Sequence, residues 1–321
     1  MSLMTDMYTD FVEVENLTKR YGERNALNGL SFAAKGGEVT GFLGPNGAGK
    51  TTALSILATI SRPHSGRASI CGYDVAKETG AARSHLGLVT QSIAIYPGLS
   101  GRENLEFFAL MQGLSRPTAR ALARRMLDEV GLGDRAQDAA GSYSGGMKRR
   151  LNLACGMIHS PPVLLLDEPT VGVDPQSREW IFDLIDKAAA EGRAVVYSTN
   201  YMEEAERLCH RVLLIDEGRV VASGTPQELI ERAGTRAHVR LHTRTRLPLG
   251  WTSGISGAHE IEQPPGDCVT ATVIVDEVEI VPEVLRLARD AGGEVKEFAL
   301  HQPNLQDAFI AITGHRLRDA V

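Results

Sequence analysis

The chain of 321 residues carries 34 Lys and Arg against 40 Asp and Glu, and this net charge of −6, with a pI near 5.9, argues against a nucleic-acid partner. A hydrophobic content of 43% and a charged content of 23% are those of an ordinary globular protein with room for one large and one small domain. Cys71, Cys155, Cys209 and Cys268 are far apart and form no CxxC pair, so neither a zinc site nor a disulfide framework is suggested and a reducing compartment is the natural reading.

Met1 to Asp10 lacks the basic start and apolar stretch of a secretory leader, and nowhere do eighteen apolar residues run together, so no membrane crossing is expected. Phe11 to Leu17 alternates apolar and polar residues and reads as a strand before a turn at Tyr21-Gly22. The Tyr21 ring could serve as packing or as a platform for a stacked base. Ala26 to Phe32 reads as a second strand, and Val39 to Leu43 as a third.

Gly44-Pro45-Asn46-Gly47-Ala48-Gly49-Lys50-Thr51-Thr52 follows directly and matches G-x-x-x-x-G-K-[ST], between a strand-like run and a helix-like one from Ala53 to Ala58. Glycines let the backbone turn its N–H groups inward, the next helix aims its positive end at an anion, and Lys50 adds a cation. Thr51 offers a hydroxyl to a Mg²⁺ that already holds phosphate oxygens.

Ala68 to Ile70 and Leu86 to Val89 are short strands, the second running into Thr90-Gln91. Between Tyr96 and Ser160 the pattern becomes helical, with helices at Gly101 to Met111, Ala119 to Val130 and Lys148 to His159: an inserted helical lobe. Strand and helix then alternate through Val163 to Asp167, Ser177 to Glu191, Ala194 to Thr199, Glu203 to Leu208 and Arg211 to Asp216, which indicates a parallel sheet covered on both faces. Beyond a composition break at Gly234 to Ala237, His238 to Leu241, Val269 to Val275 and Val295 to Ala299 read as strands, with helices at Val281 to Ala291 and Leu305 to Thr313. Leu247 to Asp267 is loop or weak strand.

Two further stretches carry chemistry. Val163 to Glu168 ends a buried strand in two acids, so Asp167 can face the metal side and Glu168 an attacking water at the edge where ligands of such sheets bind. Ser144-Gly145-Gly146-Met147 opens a helix with a capping serine and uncovered backbone N–H groups, a second anion site.

Together these pieces resemble the ATP-binding subunit of an ABC transporter, with five motifs in the family's order over residues 11 to 230: Gly44 to Thr51 as Walker A, Gln91 as the Q-loop, Ser144 to Met147 as the signature, Val163 to Glu168 as Walker B, and Gly172-Val173-Asp174 as the D-loop. Leu99 to Leu105, Tyr143 to Met147 and Pro303 to Phe309 are similar to drug-resistance and sodium-export ATPases, which pair with type-2 exporter membrane proteins. The fold class implied is α/β: a P-loop NTPase core, mostly parallel sheet with helices on both faces, plus an N-terminal antiparallel β subdomain, the helical subdomain and a small C-terminal α+β domain. The domains expected are 11–234, with its helical part at about 96–160, and 236–321.

The resemblance further implies ATP and Mg²⁺ as ligands. Adenine would stack on Tyr21, the Gly44–Thr52 backbone and Lys50 would hold the phosphates, and Thr51, Gln91 and Asp167 would serve the metal. Glu168 would polarise water, with Asn200 beside the γ-phosphate. Ser144, Gly145, Gly146 and Asp174 would act in a head-to-tail homodimer, where the signature meets the nucleotide of the opposite subunit. The partner would be an integral membrane permease engaged by the fairly apolar Ser92 to Leu99, with the chain cytoplasmic and peripheral on the inner face of the cell membrane. Two positions depart from the family: Asn200 stands where it has a switch histidine, and Met147 where the signature usually has Gln. Asn can donate a hydrogen bond but carries no charge and shuttles no proton, so slowed hydrolysis is expected. The rival readings are a soluble ABC protein acting on DNA or ribosomes, and an ATP-binding sensor with weak turnover.

Overall fold

The computed structural model describes residues 10–261 and 270–314. Cys268, most of the stretch before Asp10 read as no leader, the end of the Leu247–Asp267 tract and the last seven residues of the expected C-terminal domain lie outside them. The chain divides into two compact units, one through Gln227 and one spanning Glu228–Gly314.

The first unit opens with two long strands, β1 (Asp10–Tyr21) and β2 (Arg24–Lys35), paired antiparallel. Both run further than their apolar patterns predict, because the register slips between Val14 and Leu17 at Asn16, whose φ of 48° marks a bulge. β3 (Val39–Leu43) follows and is buried throughout. Helix α1 (Lys50–Leu57), strands β4 (Ser65–Ile70) and β5 (Tyr73–Asp74), helix α2 (Thr79–Ser84) and strand β6 (Leu86–Val89) come next. β2, β1, β4 and β5 make an antiparallel sheet in that order.

The helical lobe holds α3 (Gly101–Met111), α4 (Arg116–Glu129) and α5 (Gly145–Met157), each begun by a serine N-cap: Ser100, Ser115 and Ser144. Strand β7 (Val163–Asp167), helix α6 (Pro175–Ala190), strand β8 (Ala194–Thr199), helix α7 (Met202–Leu208) and strands β9 (Arg211–Asp216) and β10 (Arg219–Gly224) complete this unit, and helix α8 (Pro226–Ala233) leads into the second. Among the described residues the central sheet runs β10-β9-β3-β8-β7-β6, parallel except for β10.

That order fixes the site. Parallel strands β3, β8, β7 and β6 all point their C-terminal ends to one edge, with Leu43 opposite Thr199, Ser198 opposite Asp167 and Leu166 opposite Val89. The segments that leave this edge begin with Gly44, Asn200, Glu168 and Thr90-Gln91, so residues far apart in sequence converge where doubly wound sheets bind ligands. β3, β7 and β8 are buried on both faces and therefore read as unbroken apolar runs.

The second unit contains β11 (Ala237–Thr243), β12 (Ala258–Ile261), β13 (Thr270–Val275), helix α9 (Val281–Asp290), β14 (Val295–His301) and helix α10 (Leu305–Thr313). Its antiparallel sheet has the order β12-β13-β11-β14, and Val239, Leu241, Val273 and Val275 pack with Val284 and Ala288 of α9. β12 lies in the tract expected to be loop or weak strand.

Candidate functional site: a phosphate-binding cleft

The loop from Gly44 to Gly49 joins β3 to α1. Gly49 adopts a φ of 106°, and a Cβ there would lie 2.4 Å from the Ala26 carbonyl oxygen, so the loop can close only on glycine. Lys50, the first residue of α1, is buried, and its Nζ donates to the carbonyls of Gly44 at 2.6 Å and Pro45 at 3.2 Å. No side chain caps α1, whose positive end faces the loop. The resulting cleft, about 320 Å³, is lined by Tyr21, Arg24, Ala26, Asn46, Gly47, Gly49, Lys50, Thr51, Thr52, Gln91 and Glu168. Arg24 was not singled out by the sequence. It donates from Nη2 to Gly47 O at 2.8 Å and so braces the loop from β2.

At the other wall Glu168 Oε1 stands 4.0 Å from Lys50 Nζ, and its Oε2 accepts from Gln91 Nε2 at 2.9 Å. Burial raises the Glu168 pKa, while the Lys50 charge pulls it back. Burial likewise depresses the Lys50 pKa against the attraction of Glu168 and Asp167. Glu168 has a φ of 45°, and its N–H donates to Ser198 O at 3.1 Å and to Ser198 Oγ at 3.3 Å. Ser198 Oγ in turn donates to Asp167 Oδ1, so β8 holds both acids. Gln91 donates through its nitrogen, which leaves its amide oxygen for a cation. The Thr51 hydroxyl lines the same cleft, and Asp167, one residue before Glu168, is not among its lining residues; hard oxygen donors of these kinds suit Mg²⁺.

Arg149 also escaped sequence reasoning, because it sits in a Lys148-Arg149-Arg150 run that resembles a solvated basic face. It is buried, and donates from Nη1 to Gln91 O at 2.6 Å and from Nη2 to Val171 O at 3.0 Å, tying α5 to the loops on either side of Glu168. Asn200 directly follows β8, half-buried, with Oδ1 buried and without a hydrogen bond. Tyr21 is 54% exposed at the cleft, so its ring is no part of the core.

Ser144, Gly145, Gly146 and Asp174 lie apart from this cleft and beside one another. Ser144 Oγ accepts from Met147 N at 3.3 Å, and Asp174 Oδ2, the N-cap of α6, from Ser177 N at 2.9 Å. A Cβ at Gly146 would meet Ser177 Oγ at 2.4 Å and Asp174 Oδ1 at 2.8 Å, whereas one at Gly145 would meet nothing within 4 Å.

Residues 27–171 match the family model described as ABC transporter. The chain is 40% identical over 309 residues, 95% of each chain, to the daunorubicin resistance ATP-binding protein DrrA2 of Streptomyces coeruleorubidus. It is 37% identical over 311 residues to the linearmycin resistance ATP-binding protein LnrL of Bacillus subtilis, covering 96% of this chain and all of the relative. To the Nod factor export ATP-binding protein I of Burkholderia thailandensis it is 40% identical over 311 residues, 97% of this chain and 98% of the relative. Among solved structures, an ATP-binding subunit of an ABC transporter superposes with a TM-score of 0.65 at 28% identity over 70% of this chain and 93% of that one. The dimeric post-hydrolysis cassette MJ0796 bound to ADP and Pi superposes with a TM-score of 0.61 at 27% identity over 67% of this chain and 98% of that one.

Proposed function

The chain belongs to the ABC transporter family as an ATP-binding subunit of the drug-resistance and export type, and on that premise we propose how its residues divide the work of an exporter ATPase. It binds nucleotide and hydrolyses ATP. The observation that carries the assignment of residues is the Lys50–Glu168–Gln91 contact inside one cleft, at an edge shared with Asp167 and Asn200.

The Gly44–Thr52 backbone and Lys50 take the phosphates, the Lys50 ammonium exchanging the Gly44 and Pro45 carbonyls for phosphate oxygens. Mg²⁺, held by Thr51, Gln91 and Asp167, would neutralise charge on the β- and γ-phosphates. Glu168 orients the attacking water and accepts its proton as the water oxygen bonds the γ-phosphorus and the bond to the β-phosphate oxygen breaks, giving ADP and inorganic phosphate. Asn200 donates to the γ-phosphate, and the exposed ring of Tyr21 stacks on adenine.

Ser144 and Gly145 are exposed and outside their own chain's cleft, which supports a head-to-tail homodimer in which they meet the partner's ATP. Hydrolysis then removes the group bridging the two halves and frees them to part. The driven partner is an integral membrane permease, with this subunit on the inner face of the membrane. Nothing observed favours the non-transport alternatives.

The test is phosphate release by the purified chain with Mg²⁺ and ATP, beside Lys50→Ala. Turnover in the parent that is lost in Lys50→Ala is expected. A Lys50→Ala variant as active as the parent would remove the cleft from the reaction.

A further inference from the structure

One buried carboxylate plays no part in the chemistry above, yet three hydroxyls converge on it. Glu204, in α7, is 3% exposed. Its Oε2 accepts from the Tyr197 hydroxyl and from Thr199 Oγ1, each at 2.8 Å, and its Oε1 from Thr170 Oγ1, also at 2.8 Å. The Tyr197 and Thr170 hydroxyls are 3.2 Å apart, and Arg178 Nε of α6 stands 3.7 Å from Oε1. Apolar side chains at these positions would fill the space without desolvating a carboxylate. What the polar set adds is direction, since an acceptor-only group compels every hydroxyl around it to donate.

The segments so directed are those of the reaction. Thr170 lies in the turn that Val171 N closes onto Glu168 O at 3.4 Å. Thr199 precedes Asn200, and its hydroxyl, whose proton faces Glu204, accepts from Tyr201 N at 3.0 Å. The chain is therefore pinned on both sides of Asn200. Arg178 lies in the first turn of α6, its N–H bonded to Asp174 O at 3.0 Å.

We propose that Glu204 is a positioning residue for hydrolysis: by gathering Thr199, Tyr197 and Thr170 on one carboxylate it holds the Asn200 turn and the loop after Glu168 in fixed relation, acting through them without touching substrate. This rests on the roles given to Glu168 and Asn200 above. The hydroxyl of Thr199 is the link to Asn200, and Thr199→Val removes that hydroxyl alone.

The experiment is steady-state ATPase of the full chain carrying Thr199→Val, Thr199→Ser or Glu204→Gln, with Tm and equilibrium binding of a fluorescent ATP analogue measured on each. Thr199→Val is expected to lower kcat about tenfold by letting Asn200 drift, with analogue affinity kept within about twofold. Thr199→Ser, which restores the hydroxyl, should return kcat to the parental value. Glu204→Gln replaces an acceptor by a donor and should lower kcat at least as far; if it fails to fold, the Val and Ser pair decides alone. In an Asn200→Ala background Thr199→Val should change kcat by no more than about twofold, because nothing remains there to position. An unchanged kcat in Thr199→Val, a loss that Ser does not rescue, or the same tenfold loss without Asn200 would each overturn the proposal. Failure of the underlying reading looks different: Glu168→Gln turning over at the parental rate would remove the residue roles themselves.

Discussion

Lys50 and Glu168 titrate against each other across one buried contact, and desolvation moves both toward neutrality: the carboxyl upward, the ammonium downward. On the roles proposed above, the active form needs Glu168 ionised and Lys50 charged. As pH falls the base is lost at the raised Glu168 value, and as pH rises the cation is lost at the depressed Lys50 value. The profile of kcat/KM, which reports the free enzyme, is therefore expected to be a bell narrowed from both sides, with its acid limb displaced upward from the ordinary carboxylate value. Measuring kcat/KM for MgATP from about pH 5 to about pH 10 checks this, and an acid limb at an ordinary carboxylate value would count against Glu168 as the base. Asn200 is the second residue-scale lever. Its buried Oδ1 has no hydrogen bond, and an amide can donate to a γ-phosphate oxygen but cannot carry a proton away. Asn200→His should raise kcat by roughly tenfold or more, as proton-transferring side chains typically do. An unchanged rate would mean this position does not limit turnover.

At the scale of the element, the start of α5 separates what the fold needs from what the dimer needs. Gly146 is enclosed by Ser177 and Asp174, so Gly146→Ala must push Ser177 aside and is expected to cost on the order of 1–3 kcal/mol, read as a lowered Tm. Gly145 faces open space, so Gly145→Ala should leave Tm unchanged and yet, if the proposed head-to-tail dimer forms, weaken ATP-dependent dimerisation measured by light scattering, because the added methyl would enter the room that proposal gives to the partner's phosphate. Equal behaviour of the two variants would remove the distinction. The same scale shows what the sequence discloses. β3, β7 and β8, buried on both faces, are legible as apolar runs, and α3 and α10 are found at the bounds their patterns gave, where Ser100 and Asn304 form capping boxes. β10 is not legible: it is an edge strand of partly exposed residues whose register slips between Val220 and Ala222. α2 and α8 are short, with few buried side chains to print a helical period. The cleft is readable because its ligands lie in contiguous motifs. The Glu204 cluster is not, because its donors are up to 34 residues away in sequence and meet only when β7, β8 and α7 pack.

At the scale of the whole molecule, the proposed exporter ATPase has to pass its motion to a separate membrane protein, since among the described residues no helix is long and apolar enough to cross a membrane. The surface suited to the task is a groove of about 630 Å³ whose lining includes Ile60, Tyr96, Phe107, Phe108 and Met111. Ile60 is 65% and Met111 70% exposed, and with Tyr96 at 48% they gather exposed apolar surface at one groove. Its floor is stiff: Asn104 Oδ1 accepts from Tyr96 N at 2.8 Å, its Nδ2 donates to Tyr96 O at 3.0 Å, and the Tyr96 ring meets Phe107 edge-on at 4.8 Å. The segment from Ser92 to Leu99 thus runs from Gln91 in the cleft to the groove, so a shift of Gln91 on hydrolysis has a short path to whatever is seated there. On the proposed function, an apolar segment of the permease is the occupant expected in such a groove. Ile60→Asp with Met111→Asp, both exposed, should leave Tm and the ATPase of the isolated chain within about twofold of the parent, since surface changes away from buried networks cost little. The same pair should abolish recovery of the chain with membranes when it is co-expressed with its permease. Parental recovery of the double variant would move the docking surface elsewhere, whereas loss of the basal ATPase as well would place these side chains in the fold of the catalytic unit.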